Sequence, residues 1–237
     1  MKTYIINVST NEVRRNHMLN LISQNHCLTN SLFIHKGDLN SINNEVLNKY
    51  FGGELKTLSP AVSCAYKHIL AYSEFINDVN TDYALILEDD IFFYQNFSEK
   101  IEKIIDEIKL NKIENFIISL EDSNLKYVKG SEIKKNKTLY KKSAGRMAGA
   151  YLIDKVAAKN MINEIENNKC NLAIDWFHNY CSDNNLLDIY WAHPALAIQG
   201  SLNGKIKSLI DNKQFGLIKI WKFKISKLYK KLLYNLK

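Results

Sequence analysis

Three consecutive carboxylates, Glu88, Asp89 and Asp90, follow the apolar run "ALIL" at residues 84–87. Adjacent like charges repel and are costly to desolvate unless a positive group offsets them. In an extended backbone, residues two apart point the same way, so Glu88 and Asp90 are predicted to face one ligand and Asp89 to face away. Oxygen ligands at this spacing suit Mg²⁺ or Mn²⁺, which keep coordination positions for substrate phosphates. Acidic strand ends also occur in phosphotransfer receivers and phosphohydrolases, or cap a following helix.

Short apolar runs bounded by polar residues predict the strands that position these carboxylates. The segments between these strands have the apolar periodicity of helices. Ser98, Ser59 and Asp154 are the predicted N-caps, and Pro60 is at a first helical position. Alternating strands and helices predict an α/β sandwich with a mainly parallel sheet, whose ligands bind beyond the carboxyl ends of the strands. The predicted strands are residues 3–8, 84–87, 115–120, 149–153 and 189–198, and the predicted helices are 58–76, 98–110, 154–165 and 174–181.

The composition is ordinary for a soluble protein, with 237 residues of which 46% are hydrophobic and 24% are charged. The cysteines at 27, 64, 170 and 181 form no CxxC motif and no metal-ligand pairing with the six histidines, which argues against zinc and against a disulfide framework. The N-terminal apolar stretch is too short for a signal peptide or a membrane span. A reducing cytoplasm is therefore the expected location.

The C-terminal tail is basic and amphipathic. Residues 213–237 carry eight lysines and no acid, so the total net charge of +7 leaves −1 for the rest of the chain. We expect a domain over residues 1–210 and a tail over 211–237 that binds the anionic inner leaflet as an interfacial helix, and no nucleic-acid groove. The alternative is a helix that packs on the body or on a second subunit of a homodimer. The apolar stripe consists of Ile218, Trp221, Ile225, Leu228 and Leu232.

Six segments follow one another along the chain in a characteristic order. They are "YIINVSTNEVRRNHM", "LSPAVSCAYKHILAYSEFI", "YALILEDDI", "GAYLIDKVAAKNMI", "IDWF" and "PALAIQGS". In these segments the chain resembles glycosyltransferase family 25, the group that includes bacterial lipooligosaccharide galactosyltransferases. The resemblance spans roughly residues 3–207, and Ser63 and Lys67 depart from the Gly and Ser that the family usually has there.

The resemblance implies a GT-A fold and an inverting transfer from a nucleotide sugar, most commonly UDP-galactose, to a saccharide hydroxyl of a lipid-linked acceptor. It also implies a divalent metal, Mn²⁺ or Mg²⁺, held through Glu88 and Asp90, with Asp89 in the same motif. Asn7 and His68 are expected at the donor site. UDP-glucose or UDP-N-acetylhexosamine transfer is an alternative, as is a non-catalytic protein that binds glycans or nucleotides.

Such a transfer needs a general base for the acceptor hydroxyl. Asp175, at a helix start beside Trp176, is the first candidate, because partial desolvation there raises a carboxyl pKa. The alternative for Asp175 is a helix N-cap. Glu121 and Asp122 follow the strand at 115–120 and are the second candidates, as base or as ligands of sugar hydroxyls, unless they cap a loop.

Other polar residues could contact the substrates. Arg14 and Arg15 suit a diphosphate or form a solvated first helical turn. Arg146 lies in a Gly-flanked stretch and could meet a phosphate or the acceptor. The remaining candidates are Gln199 and Ser201 as donor contacts, Trp176 and Trp191 as sugar-stacking or core residues, and Cys64 as a core residue.

Overall fold

A mixed, mostly parallel sheet runs through the computed structural model, which describes residues 1–123, residues 127–200 and seven residues of the tail. Within this part of the chain, seven strands form the main sheet in the order β2-β1-β3-β7-β5-β8-β6, and β4 pairs with β9 in a small second sheet. The strands are β1 (Lys2–Ile6), β2 (Ser31–Ile34), β3 (Tyr83–Glu88), β4 (Ile91–Phe93), β5 (Phe116–Ser119), β6 (Leu139–Lys142), β7 (Ala150–Asp154), β8 (Asp188–Ala192) and β9 (Ala197–Gln199).

Helices cover both faces of the sheet. They are α1 (Glu12–Gln24), α2 (Asn44–Tyr50), α3 (Pro60–Asn77), α4 (Phe97–Leu110), α5 (Lys155–Asn168) and α6 (Ile174–Asp183). Alternate strand residues divide the core, so that Ile86 packs with α3, α5 and α6, whereas Leu85 packs with α1 and α4. The predicted α/β sandwich with a mainly parallel sheet is confirmed at this level.

The direction of β7 determines which residues meet at the site. Strands β1, β2, β3, β5 and β8 run one way, and β6 and β7 run the other. The start of β7 therefore lies beside the carboxyl ends of its two neighbours, β3 and β5. Leu87 pairs with Ala150, and the Leu120 N–H donates to the Ala150 carbonyl at 3.0 Å. Acidic residues that follow β3 and β5 are thus brought to one edge of the sheet.

Local capping confirms most of the predicted helix starts. The Ser59 hydroxyl accepts from the Val62 N–H at 3.4 Å with Pro60 in the first turn, and Asp154 accepts from the Ala157 N–H at 3.0 Å. The prediction of Ser98 as a cap was wrong. The N-cap of α4 is Asn96, in the left-handed region at φ 59°, a conformation that Asn adopts more readily than most residues.

Three short strands were not predicted from the sequence, and one region predicted as a single strand consists of two. Strands β2, β4 and β6 have three or four residues each, too few for a clear alternation of apolar and polar positions. The apolar run at 189–198 is two strands, β8 and β9, with Pro194 between them. Because β9 leaves the main sheet to pair with β4, it carries Gln199 over the end of β3.

The described tail residues are Trp221, Ile225, Ser226, Leu228, Tyr229, Leu232 and Leu233, all of them helical. All except Ser226 are exposed, including the stripe positions Trp221, Ile225, Leu228 and Leu232. Ile218 and Ser201 lie outside the described residues. In the part of the chain that is described, no helix combines the length and apolarity that crossing a bilayer requires. The domain boundary at residue 210 stays a prediction.

Candidate functional site

Asp89 is held by donors at the carboxyl end of β3. The Asn7 amide donates to Asp89 Oδ2 at 2.8 Å, and Arg14 Nη1 lies 2.5 Å from Asp89 Oδ1. Arg14 Nη2 also lies 3.6 Å from Asp90 Oδ2. Arg14 is therefore buried against the acidic turn, and its interpretation as part of a solvated first turn was wrong. Arg15 is exposed, with its guanidinium 5.9 Å from the Phe33 ring.

The acidic triplet does not continue the strand. Glu88 is the last residue of β3, and Asp89 and Asp90 form a turn before β4. Because this backbone is not extended, both aspartates reach Arg14, contrary to the prediction that Asp89 faces away from the side on which Glu88 and Asp90 lie. The donors to Asp89, from Asn7, Val8 and Arg14, show that its carboxylate fixes the turn. Asp90 keeps Oδ1 buried and without a hydrogen-bond partner in the described part of the chain.

Glu88 lies between two groups of side chains. Its Oε2 accepts from Gln199 Nε2 at 3.3 Å. Its Oε1 lies 3.6 Å from Cys64 Sγ and 3.7 Å from His68 Nε2. The structure thus brings three predicted site residues, Glu88, His68 and Gln199, into contact, while their roles stay predictions.

Glu121 is the second acidic residue buried at this edge. It is 0% exposed, and its Oε1 accepts from the backbone N–H groups of Gly149 at 2.5 Å and Ala150 at 3.0 Å. Its Oε2 is buried without a hydrogen-bond partner among the described residues. Burial, with the nearby charges of Glu88 and Asp90, raises the pKa of Glu121 well above its usual value despite the two backbone donors.

Asp90 shares this environment. Burial and the charge of Glu88 raise the pKa of Asp90 to about 7, although Arg14 opposes the shift. Glu88, Asp90 and Glu121 therefore form one cluster of interacting charges, in which Asp90 Oδ1 and Glu121 Oε2 find no hydrogen-bond partner among the residues that the structure describes. These residues fit a divalent cation, because hard carboxylate oxygens without protein donors are what Mg²⁺ and Mn²⁺ bind.

Gly149 makes the close packing of this cluster possible. A Cβ added there would lie 2.5 Å from Gln199 Nε2 and 3.0 Å from Glu121 Oε1. The Gly149 carbonyl also accepts from the Glu88 N–H at 2.7 Å. Gly149 was not singled out from the sequence, although a glycine inside a predicted strand, here its first residue, is a sign of close backbone approach.

Arg146 contacts the backbone that carries the acidic cluster. Its Nη1 donates to the carbonyl oxygens of Glu121 at 2.9 Å and Ala192 at 3.1 Å, and its guanidinium lies 4.7 Å from the centre of the Trp191 ring. Burial lowers the pKa of Arg146 to about 10. A contact between Arg146 and a phosphate or acceptor stays a prediction. Trp191 is buried, in agreement with its interpretation as a core residue.

The other candidates for the general base lie on different elements. Asp122 Oδ2 accepts from the Tyr94 hydroxyl at 2.7 Å, and Asp122 Oδ1 accepts from the Ser123 N–H at 2.8 Å. Asp175 lies in the first turn of α6 and is half-buried, but the N-cap is Ala173, so the capping alternative was wrong. The neighbouring Trp176 is 64% exposed, which excludes the core interpretation of that residue.

One expectation about α3 needs correction. Cys64 is half-buried and packs against the hydrophobic core, in agreement with its interpretation as a core residue, but its Sγ also lies against Glu88. Cys64, His68 and Glu88 place their ligand atoms within 4.8 Å of one another. The expectation that no cysteine pairs with a histidine was therefore wrong. A Cys and a His four residues apart share one face of a helix, and this spacing was the available signal.

Lys67 is a site-building residue that the sequence analysis did not identify. It is 1% exposed, donates to the Asn7 carbonyl at 2.5 Å and pairs with Asp38. Burial disfavours the Asp38 carboxylate, but the donors Lys67 and Ser9 prevail and lower its pKa. Lys67 therefore ties the loop after β1 to the loop after β2.

A mostly parallel α/β sheet with an acidic cluster at the carboxyl ends of its strands defines the class of α/β proteins whose ligands bind at that edge. The model of the family "Glycosyltransferase family 25 (LPS biosynthesis protein)" matches residues 1–178, and the chain belongs to this family. The predicted resemblance is confirmed. The protein is therefore a member of a glycosyltransferase family of lipopolysaccharide biosynthesis.

Comparison with curated proteins gave no match. Among solved structures, A197 from STIV has a TM-score of 0.44 at 12% identity, covering 81% of each chain. A protein described as a glucose-1-phosphate thymidylyltransferase from Bacillus anthracis, in complex with sucrose, has a TM-score of 0.42 at 15% identity over 92% of this chain and 98% of the other. The inositol-1-phosphate CTP transferase from T. maritima has a TM-score of 0.41 at 12% identity over 98% and 95%. Values this low carry no conclusion about this chain.

Proposed function

We propose that this protein is an inverting, metal-dependent glycosyltransferase of the GT-A type that moves a hexose from a UDP-sugar to a saccharide hydroxyl of lipooligosaccharide or lipopolysaccharide. The observation that carries the proposal is the cluster of Glu88, Asp90 and Glu121, in which Asp90 Oδ1 and Glu121 Oε2 have no hydrogen-bond partner among the described residues and Arg14 lies beside Asp90. UDP-galactose is the first donor to test, because it is the commonest donor among the proteins that the sequence resembles. UDP-glucose and UDP-N-acetylhexosamine are the alternatives.

Glu88 and Asp90 are the proposed ligands of Mn²⁺ or Mg²⁺. When bound, the cation would offset the negative charge that develops on the UDP leaving group. Arg14 is already engaged by Asp89 and Asp90, so it shapes the acidic turn and adds positive charge at the edge where a diphosphate would lie. Asn7 and Lys67 hold the adjoining loop in place.

Asp175 is the proposed general base. Glu121 is 0% exposed with Oε1 engaged by two N–H groups, so an acceptor hydroxyl would reach it only by displacing that packing. Asp175 is half-buried in the first turn of α6, beside the exposed indole of Trp176, on which a sugar ring can stack. In the proposed step Asp175 accepts the hydroxyl proton, the acceptor oxygen bonds to the anomeric carbon, and the bond to UDP breaks.

The tail is the proposed membrane contact, at the inner face of the bacterial inner membrane. The described positions Trp221, Ile225, Leu228 and Leu232 are helical and more than half exposed, and the segment carries eight lysines. An apolar face with basic surroundings binds anionic bilayers, where lipid-linked acceptors lie. Flotation with anionic vesicles should recover the wild type, and Ile225→Asp with Leu228→Asp should remain in solution. Equal recovery from neutral vesicles would contradict the electrostatic part of this proposal.

The enzyme proposal is tested by UDP release from a panel of UDP-sugars with Mn²⁺, with and without EDTA. We expect release from one donor that EDTA abolishes, a loss of at least about 100-fold in Asp90→Asn, and little change in Asp106→Asn, whose side chain is exposed on α4. Asp175→Asn should lose transfer by a similar factor while it still binds the donor.

Turnover of no UDP-sugar, with or without simple saccharide acceptors, together with unchanged donor binding in Asp90→Asn, would show that the carboxylates are not a metal site. Donor binding that requires the metal but gives no turnover would support the non-catalytic alternative instead.

A further inference from the structure

A second set of potential metal ligands lies beside the acidic cluster. Cys64 and His68 are one helical turn apart on α3 and face Glu88 at the end of β3. Cys64 Sγ lies 3.6 Å from Glu88 Oε1, His68 Nε2 lies 3.7 Å from the same oxygen, and all three ligand atoms lie within 4.8 Å of one another. The Cys64 thiol can donate to Glu88 Oε1 at this distance, whereas 3.7 Å is too long for a hydrogen bond between His68 Nε2 and the same oxygen.

The two separations at Glu88 Oε1 are close to those expected for tetrahedral zinc. Zinc bonds of about 2.3 Å to sulfur and about 2.0 Å to nitrogen or oxygen place neighbouring ligand atoms about 3.3 to 3.6 Å apart. The two sides measured at Glu88 Oε1 therefore need to close by only a few tenths of an ångström. A thiolate with an imidazole selects zinc-class cations over Mg²⁺ or Mn²⁺, which prefer oxygen ligands.

The His68 ring is oriented for this role by a buried chain of hydrogen bonds. His68 Nδ1 lies 2.7 Å from the Tyr151 hydroxyl, which lies 2.5 Å from the Tyr72 hydroxyl, which in turn lies 2.9 Å from His178 Nε2. When each group donates to the next, His68 is protonated on Nδ1 and its Nε2 presents a lone pair. Metal-bound imidazoles are held in this way through their other nitrogen.

The second nitrogen of His68 is otherwise unexplained. His68 is 0% exposed, and its Nε2 is buried without a hydrogen-bond partner in the described part of the chain, aimed at Cys64 and Glu88. Leaving such an atom unpaired costs free energy, and a cation would remove that cost. The Glu88 side chain is 20% exposed, so the cluster borders the surface at this residue.

We propose that Cys64, His68 and Glu88 bind one zinc-class cation through Sγ, Nε2 and Oε1, with a water as fourth ligand. On binding, the metal displaces the thiol proton of Cys64, which passes to solvent. Glu88 links this site to the acidic cluster, since its Oε1 faces Cys64 and His68 while Oε2 faces Gln199. This proposal does not depend on the proposed transferase activity.

Cobalt is the spectroscopic probe for this site. Addition of Co²⁺ to the metal-stripped full-length protein should produce a thiolate-to-cobalt charge-transfer band that saturates at one equivalent and disappears when Zn²⁺ is added. Cys64→Ser should abolish the band, whereas Cys27→Ser, at another half-buried cysteine, should retain it. Glu88→Gln should keep the thiolate band but weaken Co²⁺ binding by at least about 10-fold.

A measurement on the wild type tests the proposal even if the variants fail to fold. Zn²⁺ should slow alkylation of Cys64, identified by peptide mass mapping, and leave alkylation of Cys27 unchanged. Co²⁺ binding without a thiolate band, a band that persists in Cys64→Ser, or equal alkylation of Cys64 with and without Zn²⁺ would each overturn the proposal. The first of these results would place the cation on the carboxylates alone.

Discussion

Lys67 Nζ donates to the carbonyl oxygen of Asn7 at 2.5 Å from a position that is 1% exposed. The same ammonium pairs with Asp38, which also accepts from the Ser9 hydroxyl at 2.5 Å. One buried cation thus fixes two loops at the carboxyl edge of the sheet, and through Asn7 it supports the Asp89 turn. The structural function of Lys67 therefore follows from its buried contacts with Asn7 and Asp38.

Replacing Lys67 by Met should destabilise the protein by about 2 to 4 kcal/mol, because the Asn7 carbonyl and the Asp38 carboxylate lose their buried donor. Denaturant unfolding measures the change. Lys159→Met, at an exposed site on α5, is the matched control and should stay within about 0.5 kcal/mol. Equal stability of the two variants would show that the buried pair contributes nothing net.

Gly149→Ala should destabilise the protein by about 1 to 3 kcal/mol, because the new methyl group would lie 2.5 Å from Gln199 Nε2 and 3.0 Å from Glu121 Oε1. The comparison is Gly145→Ala, whose Cβ would meet only Asn179 Oδ1 at an ordinary 3.5 Å. That variant should be neutral or more stable by up to about 1 kcal/mol. Thermal unfolding of both proteins measures the two changes in stability. If Gly149→Ala is as stable as the wild type, the close packing around Gly149 is refuted.

The relation between strand ends and the site could be predicted from sequence, because parallel strands end at one edge. The apolar runs before Glu88 and Glu121 therefore indicated that these two carboxylates meet. The contacts of Lys67 and Cys64 could not be predicted in this way. Both depend on how far α3 is rotated against the sheet, which is a property of tertiary packing, and a lysine on an amphipathic helix is usually solvated.

Short elements escaped prediction for a different reason. Strand β9 has only three residues, and its pairing with β4 arises because the chain turns back after Pro194. Nothing in the local sequence specifies that Gln199 returns to Glu88, although the two are 111 positions apart and in contact at 3.3 Å. Contacts between residues this far apart in the chain cannot be predicted from a single sequence.

Glu121→Gln should leave the metal-free protein nearly as stable as the wild type at low pH, because an amide oxygen can still accept from Gly149 and Ala150. Glu121→Ala removes that acceptor and should cost about 2 to 4 kcal/mol. The pKa of Glu121 is raised above its usual 4.5, so as pH rises the unfolded chain releases this proton first.

The metal-free wild type should therefore lose stability relative to Glu121→Gln as the pH rises above about 4.5. Urea unfolding of both proteins in EDTA across this range measures the difference. A constant difference at all pH values would mean that Glu121 is ionised in the folded protein. Added Mn²⁺ should reduce the pH dependence of the wild type, since bound cations favour ionised carboxylates.

His178 should give the opposite pH dependence. Burial, with a smaller contribution from His68, lowers the pKa of His178 to about 3 from its usual 6.5, so below pH 6.5 the unfolded chain gains a proton that the folded protein excludes. Stability from this residue is complete above pH 6.5 and falls as the pH falls, by up to about 1.4 kcal/mol per pH unit. His178→Gln should remove this slope, while its side chain can still bond to the Tyr72 hydroxyl.

The difference in unfolding free energy between wild type and His178→Gln, measured from about pH 4 to pH 7, isolates this contribution from the carboxylates that titrate in both proteins. His26→Gln, at an exposed histidine beside Glu102, is the control for the substitution itself. If the difference between wild type and His178→Gln does not change with pH, His178 takes up a proton in the folded protein as readily as in the unfolded chain, and its burial does not lower its pKa.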